Sequence, residues 1–137
     1  MTGFVQDWLT AWNNHDTAKL LTLYNESFDN DVVSENHSFY DAGSFSRIGE
    51  RIFSSFPDLR FDVVETVEQE DKAAILWLAH GTHKGRYNNI PATGKKLRVS
   101  GTTFFELQNG KVSKAVFLWD GAELLRQMGL LPELQTA

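Results

Sequence analysis

The hydrophobic period of this chain changes once, around Pro57. Before it, apolar residues recur at helical spacing; after it, they alternate. Phe4, Trp8, Ala11 and Trp12 fall at i, i+4, i+7 and i+8, one face of a first helix. Asn13-Asn14-His15-Asp16 breaks it, and Asp16 is an N-cap for a second helix carrying Leu20, Leu21, Leu23 and Tyr24. A short polar strand is expected around Asp31–Phe39. A third helix near Phe45–Phe53 has Ile48 and Ile52 on its buried face and stops at Phe56-Pro57-Asp58, because the residue before a proline avoids the helical region. Leu59, Phe61 and Val63 then alternate with Arg60 and Asp62. Gln69–Asp71 reads as a turn, and Ala73–His83 as a strand too apolar to face water on both sides. A long loop covers Lys84–Lys96. Leu97–Leu107 and Lys111–Trp119 form a hairpin about Asn109-Gly110, a strong two-residue turn signal. There is no repeat and no linker. Helices followed by a meander of strands give an α+β class in a single domain over 1–137.

Composition narrows the function. The net charge of −5 argues against a nucleic-acid partner. Cysteine is absent, which removes thiol nucleophiles, thiolate metal sites and disulfides and fits a cytoplasmic protein. No apolar run reaches membrane-spanning length and the N-terminus lacks the features of a signal peptide, so no membrane partner is expected. With 10 Phe and 4 Trp, the chain has either a tight aromatic core or an aromatic-lined cavity.

Ala11–Asp16, Phe56–Phe61, Gly81–Gly101, Asn109–Val112 and Trp119–Pro132 together resemble the SnoaL-like polyketide cyclase family of the nuclear-transport-factor-2-like superfamily, in order and spacing, across nearly the whole chain. The resemblance implies a cone-shaped fold: a strongly curved, mainly antiparallel sheet wrapped around N-terminal helices, with an apolar pocket open at one end. It implies a homodimer or higher homo-oligomer formed through the outer face of the sheet. It also implies cofactor-independent, metal-independent acid/base chemistry on a small hydrophobic carbonyl-bearing molecule, by aldol cyclisation or an isomerisation-like step. The superfamily also contains pure binding proteins, so fold alone does not choose between a catalyst and a small-molecule-binding or interaction module.

Aldol closure needs a base for a C–H proton and an acid for the forming alkoxide, and one carboxylate of raised pKa can serve as both. Known cyclases of the family carry that carboxylate three residues before the acid that opens the last helix. The position here is Phe117. Its histidine partner on the adjacent strand corresponds, counting from the hairpin turn, to Thr103. Neither residue can act as a general base. The remaining catalytic candidates are His83, in the retained Gly81-Thr82-His83 motif, and Asp120. His83 either fixes its loop or acts as an acid/base group. Asp120 has capping-box spacing to Glu123 and reads first as a helix cap. Tyr24, Trp77, Thr103, Phe105, Phe117 and Trp119 are the candidate pocket residues, with ordinary core packing as the alternative for the rings. His80 has the parity of an exposed residue, and His37 reads as a surface-loop histidine. Asp62 and Glu65 read as a solvated strand face. Thr93–Lys96 lacks the first glycine of a phosphate loop. No His/Asp/Glu cluster has metal-ligand spacing, so neither a metal nor an organic cofactor is expected.

Overall fold

A computed structural model of the chain describes residues 3–32, 37–39 and 42–135. Helix α1 (Gly3–Asn13) buries Trp8, Ala11 and Trp12 of the expected face together with Val5, while Phe4 is partly buried at its edge. Asp16 caps α2 (Thr17–Thr22), accepting the Lys19 backbone N–H at 3.0 Å. This helix is shorter than expected. Tyr24, placed on α2 by its spacing, instead opens strand β1 (Tyr24–Val32). The cause is non-local: the Leu23 carbonyl accepts the Val112 N–H at 2.8 Å, and Tyr24 then pairs in parallel with Val112. The single strand expected over Asp31–Phe39 is two, β1 and β2 (His37–Phe39), paired antiparallel. The side chain of His37 lies outside the described residues.

Helix α3 (Ala42–Ser55) ends before Pro57, and β3 (Arg60–Glu68), β4 (Lys72–Thr82), β5 (Lys96–Gln108), β6 (Lys111–Trp119) and α4 (Gly121–Gln127) follow. The six strands form one sheet in the order β2-β1-β6-β5-β4-β3. Among the described residues, β1 and β6 are the parallel pair and the other pairings are antiparallel. Asn109 and Gly110 both have positive φ, 55° and 77°, as a type I′ hairpin turn requires. Register shifts between Tyr24 and Asp29, Val63 and Glu65, and Glu106 and Leu107 bend the sheet into its curved form. No helix among the described residues is long and apolar enough to cross a membrane.

The long loop after β4 is tied to the end of α3. The backbone N–H groups of Lys84 and Gly85 both donate to the Ser55 carbonyl at 3.1 Å. The buried Ser55 hydroxyl bonds the carbonyls of Arg51 and Arg86. One turn on, the Asp58 carboxylate accepts both the N–H and the O–H of Thr82 at 2.7 Å. Those bonds, the hydroxyl's first, hold the Asp58 carboxyl below the usual carboxylate range. The two stretches Phe56–Phe61 and Gly81–Thr82, distant in sequence, are therefore one clamp. Gly85 is required by close approach: a Cβ there would lie 2.2 Å from the Ser54 carbonyl oxygen. Gly85→Ala is expected to lower stability by about 1–3 kcal/mol, the usual cost of overpacking, measured as a reduced urea midpoint.

Candidate functional site

The inner face of the sheet is built in cross-strand rows. Ile75 pairs with Thr103, which pairs with Phe117; one row on, Trp77 pairs with Gly101, which pairs with Trp119. Phe117 and Thr103 are thus direct neighbours, the register counted from the hairpin turn. Between the outer of these rows and α3 lies a cavity of about 140 Å³. Phe45, Ile48, Gly49 and Ile52 of α3, with Phe56 just beyond it, form one side. Trp12 of α1, Leu124 of α4 and Tyr87 of the long loop complete it against Phe61, Trp77, Ala79, Leu97, Val99, Phe117 and Trp119 of the sheet. The sequence places Ile48 and Ile52 on the buried face of α3 and Trp12 on the apolar face of α1. Their helical spacing marks an apolar face, but only the bent sheet leaves space in front of it.

Of the expected pocket residues, Trp77, Phe117 and Trp119 line the cavity. The other three lie elsewhere. Phe105 is fully buried beneath α1, its ring 5.1 Å from Phe4 and 6.0 Å from Trp8. Tyr24 packs on Phe28 and Phe45 and donates its hydroxyl to Asn30 Oδ1 at 2.9 Å. Burial pushes its phenol far above the ordinary range, so it stays protonated. Thr103 is fully buried and accepts the Trp77 indole N–H at 2.9 Å.

Neither catalytic candidate reaches the cavity lining. Asp120 is exposed and is the N-cap of α4, its carboxylate accepting the Glu123 N–H at 3.0 Å. His83 is fully buried and rests against the ring of Phe56, at 5.6 Å between centroids. Its Nδ1 accepts the Thr93 backbone N–H at 3.3 Å and lies 3.0 Å from the Thr93 hydroxyl. Its backbone pairs with Lys95 and Gly94 across the loop. With Nδ1 accepting, the ring is neutral and carries its proton on Nε2, which is buried without a partner. Desolvation lowers the pKa of His83, and the Gly85 backbone offsets this in part. His80 contributes to the cavity wall, and its Nε2 bonds Asp62 Oδ2 at 2.9 Å across β4 and β3. Among the described residues no group of three or more His, Cys, Asp or Glu could hold a metal.

A bent mixed sheet packed on N-terminal helices around an apolar cavity defines a nuclear-transport-factor-2-like protein. The chain belongs to the SnoaL-like polyketide cyclase family, whose model matches residues 3–128. Solved structures share the fold at low identity. AclR of Streptomyces galilaeus, described as a candidate hydroxylase, superposes with a TM-score of 0.84 at 20% identity, covering 96% of this chain and 82% of its own. TsrD of Streptomyces laurentii gives 0.82 at 22% identity, covering 93% of each chain. A Catenulispora acidiphila protein of ketosteroid-isomerase-like fold gives 0.83 at 15% identity, covering 96% of this chain and 95% of its own. No curated protein sequence matches significantly.

The lowered pKa of His83 fixes the sign of a pH effect. As pH falls, the unfolded chain takes up the proton first, so stability declines from about pH 6.5 downward until the folded histidine also protonates, by at most about 1.4 kcal/mol per pH unit. The Asp58 contribution is present above the ordinary carboxylate pKa and is lost only at lower pH, as the carboxylate protonates. Urea titrations between pH 7.5 and 5 are expected to show the decline in the parent and a flatter profile in His83→Asn; equal slopes would contradict the assignment.

Proposed function

We propose that this chain is a ligand-binding member of its family. It takes a small hydrophobic carbonyl-bearing molecule into the cavity, without the carboxylate–histidine pair of the known cyclases. The observation that carries this reading is the wall: among the described lining residues there is no carboxylate, lysine or arginine. The two positions that hold the acid/base pair in known cyclases carry Phe117 and Thr103. Asp120 is engaged at its helix, and His83 sits behind Phe56. A carbonyl is the polar group that suits this wall. It is uncharged, so it enters an apolar wall at far lower cost than an ionised group would.

A second reading is catalytic, a cyclisation or isomerisation served by His80 oriented by Asp62. The 2.9 Å contact between them supports it. Against it, the His80 side chain is 40% exposed and has the opposite parity to Trp77, Ala79 and Gly81, the other β4 residues of the wall.

Calorimetry with acetophenone and its hydrocarbon counterpart ethylbenzene tests the binding reading. Ile52→Asp, which puts a carboxylate into the apolar wall, should weaken both compounds by about tenfold or more. Failure of the parent protein to bind either compound would reject the reading. Turnover of a carbonyl substrate, abolished in His80→Ala, would replace it with the catalytic one.

We also propose that the protein pairs with a second copy through the outer face of the sheet. Leu76 and Leu118 flank Thr102 on three adjacent strands, with Phe104 beside them, and these three apolar residues are 43%, 49% and 39% exposed. An exposed apolar patch across the central strands favours an apolar partner surface. Leu118→Glu is expected to convert a dimer to a monomer in sedimentation velocity at micromolar concentration.

A further inference from the structure

We infer that Trp77, held in place by Thr103 and Gly101, sets the depth of the cavity and limits its occupant to an uncharged single-ring molecule. This rests on the binding reading and specifies its ligand class. The indole of Trp77 lies over Gly101. A Cβ at that glycine would stand 2.4 Å from both Cζ2 and Cη2 of the ring, and 2.8 Å from the Cβ of Trp119. The ring therefore occupies the space that any other residue at 101 would fill. Its N–H is fixed to the Thr103 hydroxyl at 2.9 Å. Swinging the ring aside would leave that N–H without its acceptor in an apolar interior, so the rotamer is held from both ends.

What lies beneath the indole shows that it acts as a floor. Ile75, Thr103 and Phe105 are all fully buried on the inner face, and none of them lines the cavity. The space above Trp77 is about 140 Å³, close to the roughly 150 Å³ of an engineered apolar cavity that accepts benzene. One ring fills the space above the indole; a second fused ring must either displace the indole or protrude through the open mouth, out of the apolar wall. The position that holds a histidine in the known cyclases has thus become, in this chain, the support of an aromatic floor. Thr103 is a positioning residue, and Trp77 is the residue that determines size specificity.

Acetophenone and 2-acetylnaphthalene carry the same carbonyl on one and two rings. The parent protein is expected to bind acetophenone at least tenfold more tightly. Trp77→Leu removes the floor and should reverse the preference. Thr103→Val keeps the side-chain shape and removes the acceptor, so it should cut the ratio to about twofold while retaining one-ring binding, with a changed near-ultraviolet circular dichroism signal from the released indole. Should Trp77→Leu fail to fold, Trp77→Phe replaces it, with the ratio expected to fall toward one. Equal affinity for both ketones in the parent, or a ratio unmoved by Thr103→Val and the Trp77 variants, would overturn the inference while leaving the binding reading intact. If neither ketone binds the parent or any variant, the binding reading fails and this inference fails with it.

Discussion

At Gly101 the middle of β5 carries no side chain, and the ring of Trp77 and the Cβ of Trp119 close over the gap from the two neighbouring strands. The rest of the interior depends on this arrangement. A side chain at 101 would lift the Trp77 ring off the strand and into the cavity. Without one, the indole lies low enough for Thr103 to accept its N–H, and the space above stays open. The far side of the space is formed by helix α3. The sheet's register shifts supply the concavity.

The same sheet separates two chemistries. Toward α1, the inner face is a packed aromatic core in which Trp8 meets Phe61 and Phe105 edge to face. Toward α3 and α4, it is the cavity. Phe117 and Thr103 sit at the boundary. In this chain that boundary pair has one apolar ring and one hydroxyl already committed to a hydrogen bond. A wall of this kind offers shape, dryness and aromatic edges. Shape and dryness suffice for selective binding, whereas proton transfer needs a titratable group aimed at the ligand, and the histidine of the wall, His80, is held by Asp62.

The polar groups that do resemble catalytic residues are engaged in building the fold. His83 stitches the loop after β4 together through Thr93, Lys95 and Gly94. Asp58 and Ser55 fasten that loop's base to the end of α3, and Asp120 starts α4. Each sits where a strand or helix ends, which is also where unpaired backbone groups collect and need partners. Motif residues at such places are read as easily for chemistry as for structure, and here the hydrogen bonds decide.

The sequence by itself determined whatever is written in local spacing. The face of α1, the Asp16 cap, the stop at Pro57, the Asn109-Gly110 turn and the pairing of Thr103 with Phe117 all follow from neighbours a few residues apart or from counting along one hairpin. The capping spacing of Asp120 was legible for the same reason. What the tertiary structure decided is what depends on distant partners. The parallel pairing of β1 with β6 drew Tyr24 out of its helix. The bend of the sheet divided one set of inward-facing rings into cavity lining (Trp77, Phe117, Trp119) and core (Phe105). Alternation tells which face of a strand a side chain takes, but it carries no information about how far the opposite layer stands from that face. That distance is set by curvature and by α3, and it is what separates a cavity from a core.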